Sequence, residues 1–272
     1  MPDSQMNKPV IDQKFGRQAF GGDPAGYHAA RPPYPDWVFE TLIAHDCFAT
    51  GNATFEIGPG TGIATHKLLH IGADPLIGIE PDIRLATFLQ NSIGRTELNV
   101  ITETFEDSVL EDHSFDLGFC ATAFHWLNED TALAKVASLL KPGGWWAMVS
   151  NNFGDHLTPN TFHEATKLLL GGPSSPSEGA TGIPFALDTE ARFAALNRTG
   201  AFDLMEHRMD RWSFVLDPEQ VVALYSTFSN ITIRPDKEAV LSELGRIASD
   251  EFGGRVTRNI VTTLYLARRR AL

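Results

Sequence analysis

A glycine-rich loop follows a short apolar segment in the first quarter of the chain. Residues 55–62 read Phe-Glu-Ile-Gly-Pro-Gly-Thr-Gly, and a strand pattern ends at Ile57 where a helical pattern soon begins. Glycines at this spacing let the backbone approach a ligand and present N–H groups at a helix start. The Gly-x-Gly-x-x-Gly/Ala fingerprint of dinucleotide sites fails here, because Ile63 stands at its last position. The motif from Glu56 to Gly62 is therefore a candidate ligand-binding turn of another kind.

A second acidic position follows the next apolar segment, which ends in Glu80-Pro81-Asp82. A carboxylate here can accept hydrogen bonds from both hydroxyls of a ribose, as the acid roughly 20 residues after the glycine loop does in dinucleotide sites. The alternative role is a helix cap, because an acid at a helix start is favoured by the helix dipole. We assign ribose binding to Glu80 and helix capping to Asp82.

The elements that must position these residues alternate regularly. Strands are predicted at 53–57, 75–79, 98–101, 115–121 and 145–150, and helices between them at 63–71, 83–92 and 129–140. Lys141-Pro-Gly-Gly144 ends the third of these helices. Apolar strands separated by helices are typical of a parallel sheet that is covered on both faces.

The remaining segments are less regular. Residues 1–35 predict an ordered arm or loop, because its prolines disfavour a strand. The composition of 171–182 is typical of a lid, and 202–216 predicts either a strand pair or one long bent strand. Further helices are predicted at 36–45, 160–170, 188–199, 217–229 and 236–251, with a last strand at 256–269.

Composition excludes several classes of protein. The 272 residues carry a net charge of −12, which repels a phosphate backbone and disfavours a nucleic-acid partner. Only two cysteines occur, Cys47 and Cys120, and their separation indicates neither a disulfide scaffold nor a zinc ribbon. His66 and His70 lack the acid of a zincin motif, so we predict no metal. Because no long apolar run is present, we predict a cytoplasmic protein without a membrane partner.

The motif from Glu56 to Gly62, with its flanking strand and helix, resembles motif I of class I S-adenosylmethionine-dependent methyltransferases. Further motifs resemble the trans-aconitate-methyltransferase-like (methyltransferase type 11) branch of that family. They are Tyr27-x-x-x-Arg31-Pro-x-Tyr34-Pro35, Thr104-Phe-Glu-Asp107, Ser114-Phe-Asp116, Ala123-Phe-His-Trp-Leu127 and Lys141-Pro-Gly-Gly144. The resemblance covers residues 14–150 and is weak from residue 151 onward.

The resemblance implies S-adenosyl-L-methionine as the cofactor. It implies that Phe105 packs on the adenine and that Glu106 or Asp107 accepts from the exocyclic amine, since an ionised carboxylate is an acceptor only. Tyr27 and Tyr34 are candidates to close the site from the N-terminal arm. The predicted cofactor-binding residues are Glu56, Gly58, Pro59, Gly60, Gly62, Glu80, Pro81, Phe105, Glu106, Ala121 and Tyr27.

His125 is the candidate catalytic base, because it follows the strand whose end faces the methyl group in this fold and histidine titrates near neutrality. The alternative is that His125 only shapes the cofactor pocket. A carboxylate acceptor would need no base. Candidate acceptor-pocket residues are Phe153, Phe162, Trp212, Tyr225, Phe228 and Arg234.

These inferences predict an α/β fold with a Rossmann-like, seven-stranded, mostly parallel sheet and a helical lid. As the family implies, the strand at 256–269 is inserted antiparallel at one edge. One domain is predicted over residues 1–272, with a cofactor core at 14–150 and a lid with cover helices at 151–251. The predicted function is methyl transfer to a small-molecule acceptor, by O- or carboxyl-methylation, in a monomer or homodimer. The alternatives are a cofactor-binding protein with non-methylating catalysis or with a regulatory role.

Overall fold

A computed structural model describes residues 9–12, 17–47, 51–155, 157–158, 160–179 and 182–271. The start of the predicted core, at residues 14–16, lies outside these ranges. So do residues 180 and 181 of the predicted lid. Among the described residues, no helix has both the length and the apolar character that a membrane span requires.

Seven strands form a single sheet in the order β3-β2-β1-β4-β5-β7-β6. The strands are β1 (Asn52–Ile57), β2 (Ala73–Ile79), β3 (Leu98–Ile101), β4 (Phe115–Ala121), β5 (Leu140–Asn152), β6 (Phe202–Leu216) and β7 (Val256–Arg269). Neighbouring strands from β1 to β5 pair in parallel, and β7 runs antiparallel to both β5 and β6. The predicted Rossmann-like, mostly parallel sheet is confirmed. The antiparallel strand, however, lies one position inside the edge, because β6 covers it.

Ten α-helices occur among the described residues. They are α1 (Pro24–Ala30), α2 (Asp36–Ala44), α3 (Thr65–His70), α4 (Ile83–Ile93), α5 (Glu129–Leu139), α6 (Thr161–Thr166), α7 (Thr189–Thr199), α8 (Pro218–Ser226), α9 (Ser229–Thr232) and α10 (Lys237–Asp250). The sequence did not predict α1. This helix buries no side chain completely and is capped by Asp23, so it carries no apolar periodicity to detect.

Other boundaries also differ from the predictions. The segment predicted as one helix at 217–229 is two helices, α8 and α9, because the chain turns between Ser226 and Ser229. The helix predicted at 160–170 ends at Thr166, and the following residues form turns. Of the two alternatives for 202–216, the single long strand is confirmed as β6.

Two apolar layers enclose the sheet. Trp145 and Trp146 are neighbours on β5, so their side chains point to opposite faces. Trp146 packs in a cluster with α5 and α7, and Trp145 packs in the cluster of α2 and α3 on the other face. Helix α7 therefore covers a face of the sheet. A third cluster joins α6, α8 and α10.

Candidate functional site

A cavity of about 550 Å³ lies where the carboxyl ends of four parallel strands meet. Its floor is formed by Glu56–Thr61 after β1, Ile79–Pro81 after β2, Ala121–Ala123 after β4 and the last residues of β5. The strand order reverses between β1 and β4, and open α/β sheets bind ligands at such a switch point. Residues of the N-terminal segment, the lid, α8 and α9 form the roof.

The glycine loop needs its glycines for two different reasons. Gly58 and Gly60 have φ of 62° and 58°, a left-handed conformation that favours glycine, and both line the cavity. A Cβ on Gly62 would lie 2.6 Å from Leu89 Cδ1, so this glycine permits close packing between the loop and α4. Gly62 is absent from the cavity lining. The predicted cofactor contact of Gly62 stays a prediction, and what the structure shows is its packing against α4.

Both carboxylate oxygens of Glu80 are held by the backbone. The N–H of Gly60 donates to Oε2 and the N–H of Asp82 donates to Oε1, each at 3.0 Å. Burial raises the pKa of Glu80 to about 7, although these two hydrogen bonds oppose the rise. Asp82 caps α4 by accepting from the N–H of Arg84, so its predicted capping role is confirmed. Glu80 thus presents an oriented carboxylate to the cavity.

Glu56 is a second buried acid beneath the loop. Its Oε2 accepts a hydrogen bond of 2.7 Å from the hydroxyl of Thr65 at the start of α3. Burial raises the pKa of Glu56 to about 8, and the like charge of Glu80 adds to the rise. A group near neutral pKa inside a cavity is able to change charge when a ligand binds. Pro59, Pro81 and Ala121 complete this part of the lining.

The two acidic residues after β3 do not lie where the sequence predicted them. Phe105 lines the cavity and stacks on Phe55 with 6.1 Å between ring centroids. Glu106 instead forms an ion pair with Arg17, whose guanidinium nitrogen lies 2.7 Å from Oε1, and Glu106 does not line the cavity. Asp107 accepts from the hydroxyl of Thr104 and is exposed. The structure therefore places Phe105, but neither acid, in the cavity.

His125 lies in a short 3₁₀ turn, Phe124–Trp126, and lines the cavity. Burial lowers the pKa of His125 to about 3, and the positive charge of Arg31 lowers it further. This value does not fit the expectation of a base that titrates near neutrality, because a group of low pKa holds a transferred proton poorly. The predicted base is present at the cavity but is poorly suited to that task.

The aromatic residues of the N-terminal segment close one side of the cavity. Tyr27 lines it and packs edge-on against Phe20. The Tyr34 hydroxyl shares a hydrogen bond of 2.8 Å with Oγ1 of Thr122, and burial raises the pKa of Tyr34. Thr122 has a φ of 54°, which is strained for a β-branched residue. Sequence reasoning missed Thr122, because nothing in the residue type signals this conformation.

The predicted acceptor pocket is only partly correct. Phe153, Tyr225 and Phe228 line the cavity. Phe162 is buried in the third apolar cluster, and Trp212 donates its indole N–H to Thr262. Arg234 forms an ion pair with Asp236 at 2.8 Å, outside the cavity.

Three arginines that line the cavity had not been predicted as site residues. They are Arg17, Arg31 and Arg258. Arg31 stood within the quoted N-terminal motif, whereas Arg258 was hidden in an apolar strand pattern.

A metal ion has no evident ligands in the described part of the chain, where no three side chains of His, Cys, Asp or Glu cluster. His66 instead packs against His28, with 6.3 Å between ring centroids.

Comparison with known families finds a match in the central part of the chain. Residues 55–148 match the family model described as a methyltransferase domain. An uncharacterised methyltransferase of Mycobacterium bovis is 29% identical over 139 residues, which are 51% of this chain and 54% of that protein. The match thus spans about half the length of that relative. An uncharacterised methyltransferase of Schizosaccharomyces pombe is 26% identical over 91% of this chain and 96% of its own length.

The fold has relatives among solved structures. A Haemonchus contortus phosphoethanolamine N-methyltransferase 2, solved with phosphomonomethylethanolamine and S-adenosylhomocysteine, superposes with a TM-score of 0.59. It is 15% identical, and the match covers 96% of this chain and 60% of that one, so the likeness concerns the fold. Residues 55–148 are therefore similar to a methyltransferase domain.

Proposed function

We propose that this chain transfers a methyl group from S-adenosylmethionine to an oxygen of a small-molecule acceptor. The observation that carries the proposal is the oriented carboxylate of Glu80, held by the N–H of Gly60 at the switch point of the sheet. We also propose that residues 1–272 act as one domain, because segments from β1 to β7 contribute to a single cavity. The relationship to the trans-aconitate-methyltransferase-like branch stays a prediction, as does a monomeric or homodimeric state.

The residues present fit the cofactor. Glu80 keeps acceptor capacity for two ribose hydroxyls, since each oxygen receives one hydrogen bond from the protein. Phe105 offers an apolar wall for a base, and the open backbone at Gly58 and Gly60 admits the rest of the molecule. Glu56, in the same cavity, is placed to receive a positively charged group. When bound, S-adenosylmethionine supplies a methyl group on a sulfonium, which is already an activated leaving group.

The protein's own contribution is positioning and exclusion of water. Tyr27 and Trp126 line the cavity and shield it, and His125 stands at its wall as a neutral imidazole. Because the pKa of His125 is about 3, we propose that it orients the acceptor instead of removing a proton. An acceptor oxygen that is ionised without help, such as that of a carboxylate, suits this wall better than an alcohol.

An acceptor screen tests the proposal. Purified protein with S-adenosylmethionine is offered carboxylic acids, alcohols and amines, and S-adenosylhomocysteine release is measured together with the mass of the methylated product. Release that depends on an acid or alcohol supports the proposal. Cofactor binding without release from any acceptor class contradicts methyl transfer and favours a non-methylating role.

A further inference from the structure

Arg17 joins two loops at the cavity. Its guanidinium donates to both carboxylate oxygens of Glu106, at 2.7 and 3.2 Å, and to the carbonyl of Trp126 at 2.6 Å. Glu106 follows β3 and Trp126 follows β4, and β2 and β1 lie between these strands in the sheet. Arg17 also lines the cavity. This side chain therefore connects loops that lie on either side of the glycine loop and Glu80.

The residues after Arg17 are attached to a third loop, at the start of α4. Nη2 of Arg84 donates to the carbonyl of Gln18 at 2.8 Å. A Cβ on Gly21 would lie 2.2 Å from Oδ2 of Asp82 and 2.6 Å from Nε of Arg84, so only glycine permits this close approach. Residues 17–21, which we call the strap, are thus fixed at both ends.

The middle of the strap forms part of the cavity wall. Phe20 packs edge-on against Tyr27 and Trp126, with 5.8 and 6.1 Å between ring centroids. All three rings line the cavity together with Arg17. The strap therefore borders the same cavity that presents the carboxylate of Glu80.

Polar contacts hold the strap more than apolar burial does. Gly21 is its only buried residue, and the other four are half-buried or exposed. The Nε–H of Arg17 is buried and has no acceptor among the described residues, which costs free energy while the strap is closed. Little apolar burial indicates low local stability. The strap is therefore able to open while the sheet stays folded.

We propose that Arg17 is a positioning residue: the strap opens for the cofactor to enter or leave, and its closure fixes the turn that carries His125. The inference rests on the proposed function. The carbonyl that Arg17 binds belongs to Trp126, the residue next to His125 in the 3₁₀ turn. Closure over the cofactor thus completes the wall at which the acceptor is oriented and excludes water. Opening releases S-adenosylhomocysteine after the transfer.

The test measures how fast S-adenosylhomocysteine binds to and leaves the intact protein, by surface plasmon resonance. Arg17→Gln is expected to raise both the association and the dissociation rate constant about 10-fold, the scale for losing a hydrogen bond to a charged group. The Kd should change far less, because a weaker attachment raises the open fraction with and without ligand. Arg95→Gln is the control, since Arg95 also pairs with a glutamate, Glu97, but does not line the cavity.

Two results overturn the inference. They are rate constants in Arg17→Gln equal to those of the control, or a faster dissociation alone with an equally weakened affinity, which is the behaviour of a direct ligand contact. Absence of S-adenosylhomocysteine binding to the wild-type protein contradicts the proposed function instead.

Gly21→Ala opens the strap at its other end without a change of charge. Its matched control is Gly22→Ala, because a Cβ on Gly22 would meet no atom within 4 Å. Gly21→Ala should exchange S-adenosylhomocysteine faster than Gly22→Ala does. Hydrogen exchange should also be faster at the amides of Trp126 and Leu127, which donate to carbonyls of the turn segment at 3.0 Å. Equal ligand exchange and equal amide protection in the two variants would overturn the inference.

Discussion

The Oε2 oxygen of Glu80 lies 3.0 Å from the backbone nitrogen of Gly60, so the acid after β2 and the loop after β1 are joined directly. The two residues are twenty positions apart in sequence. Their hydrogen bond fixes the carboxylate before any ligand arrives, and Gly60 holds its part of the loop in a left-handed conformation. The cofactor-binding half of the cavity is therefore preorganised.

Cofactor affinity is predicted to fall as the pH decreases through about 7. The pKa of Glu80 is about 7 in the free protein, and hydroxyl donors of a ribose would favour its charged form. Below pH 7 Glu80 is mostly protonated and must release its proton when the cofactor binds. This release weakens the affinity for the cofactor. Calorimetry with S-adenosylhomocysteine between pH 5.5 and 8.5 measures this dependence. Glu56 and Asp82 also face this acid, so Glu80→Gln serves as the control and should flatten the profile.

Glu56→Gln is predicted to stabilise the protein at high pH. The carboxyl has an ordinary pKa of 4.5 and a folded-state pKa of about 8, so the folded state binds more protons between these values. The free energy of unfolding therefore falls as the pH rises from about 4.5 to about 8. Each pKa unit corresponds to roughly 1.4 kcal/mol. Glutamine remains neutral, so the variant's advantage should grow across this window.

Denaturant unfolding at pH 5 and pH 8.5 tests the effect of Glu56→Gln. Glu97→Gln is the control, because Arg95 lowers the pKa of this partly exposed acid and the substitution should bring no gain at high pH. A Glu56→Gln variant whose advantage is the same at both pH values would contradict the buried, proton-binding state of Glu56.

We predict that deprotonation of His125 causes no increase in turnover between pH 6 and 7. Its pKa of about 3 leaves the imidazole neutral throughout this range. His125→Ala should lose less than the roughly 10²–10⁴-fold that removal of a general base costs, and the loss should fall mainly on the KM of the acceptor. Initial rates at saturating S-adenosylmethionine measure both quantities. Two results together would instead show that His125 acts as a general base. They are a roughly 10²–10⁴-fold lower kcat in His125→Ala and a rise in the wild-type rate between pH 6 and 7 that is absent from the variant.

The lid is predicted to become protected when both ligands bind. Ser175, Ser177 and Glu178 line the cavity, and the only backbone pairing of this part with the N-terminal segment is the bridge between Val10 and Ser174, as far as the structure describes the chain. The capping hydrogen bonds between Ser175 and Glu178 are local, and few backbone contacts with other segments indicate low local stability. Hydrogen exchange of described amides in 171–179 should be faster than in β5 without ligand and should slow with cofactor and acceptor. Strong protection in both states would argue against a lid.

The sequence predicted the sheet and half of the cavity well because local pattern determines them. Each central strand is an apolar run, and Gly58, Gly60 and Glu80 occupy positions that the strand–loop–helix pattern dictates. Gly62 and Glu106 were predicted to bind the cofactor but do not line the cavity, for a physical reason. Their partners, Leu89 and Arg17, are distant in sequence and are brought close only by tertiary packing.

The acceptor half of the cavity could not be predicted in the same way. Arg258 stands within an apolar strand pattern, where a single charge gives no hint of burial, and Tyr225 belongs to a helix that covers the sheet from a distant part of the chain. Helix α1 was missed because it buries no side chain completely, so its seven residues show no apolar stripe. Long-range contacts decide these features, and periodicity does not report them.

Calorimetric titration of S-adenosylmethionine into the wild-type protein, Glu80→Ala and Glu106→Gln tests the central claim most directly. Glu80→Ala should weaken binding by roughly 1–3 kcal/mol, the cost of leaving buried hydroxyls unpaired. Glu106→Gln should weaken binding less than Glu80→Ala does, because Glu106 does not line the cavity and contacts it only through its ion pair with Arg17, which does. No binding to the wild-type protein, or equal affinity in wild type and Glu80→Ala, would contradict the account.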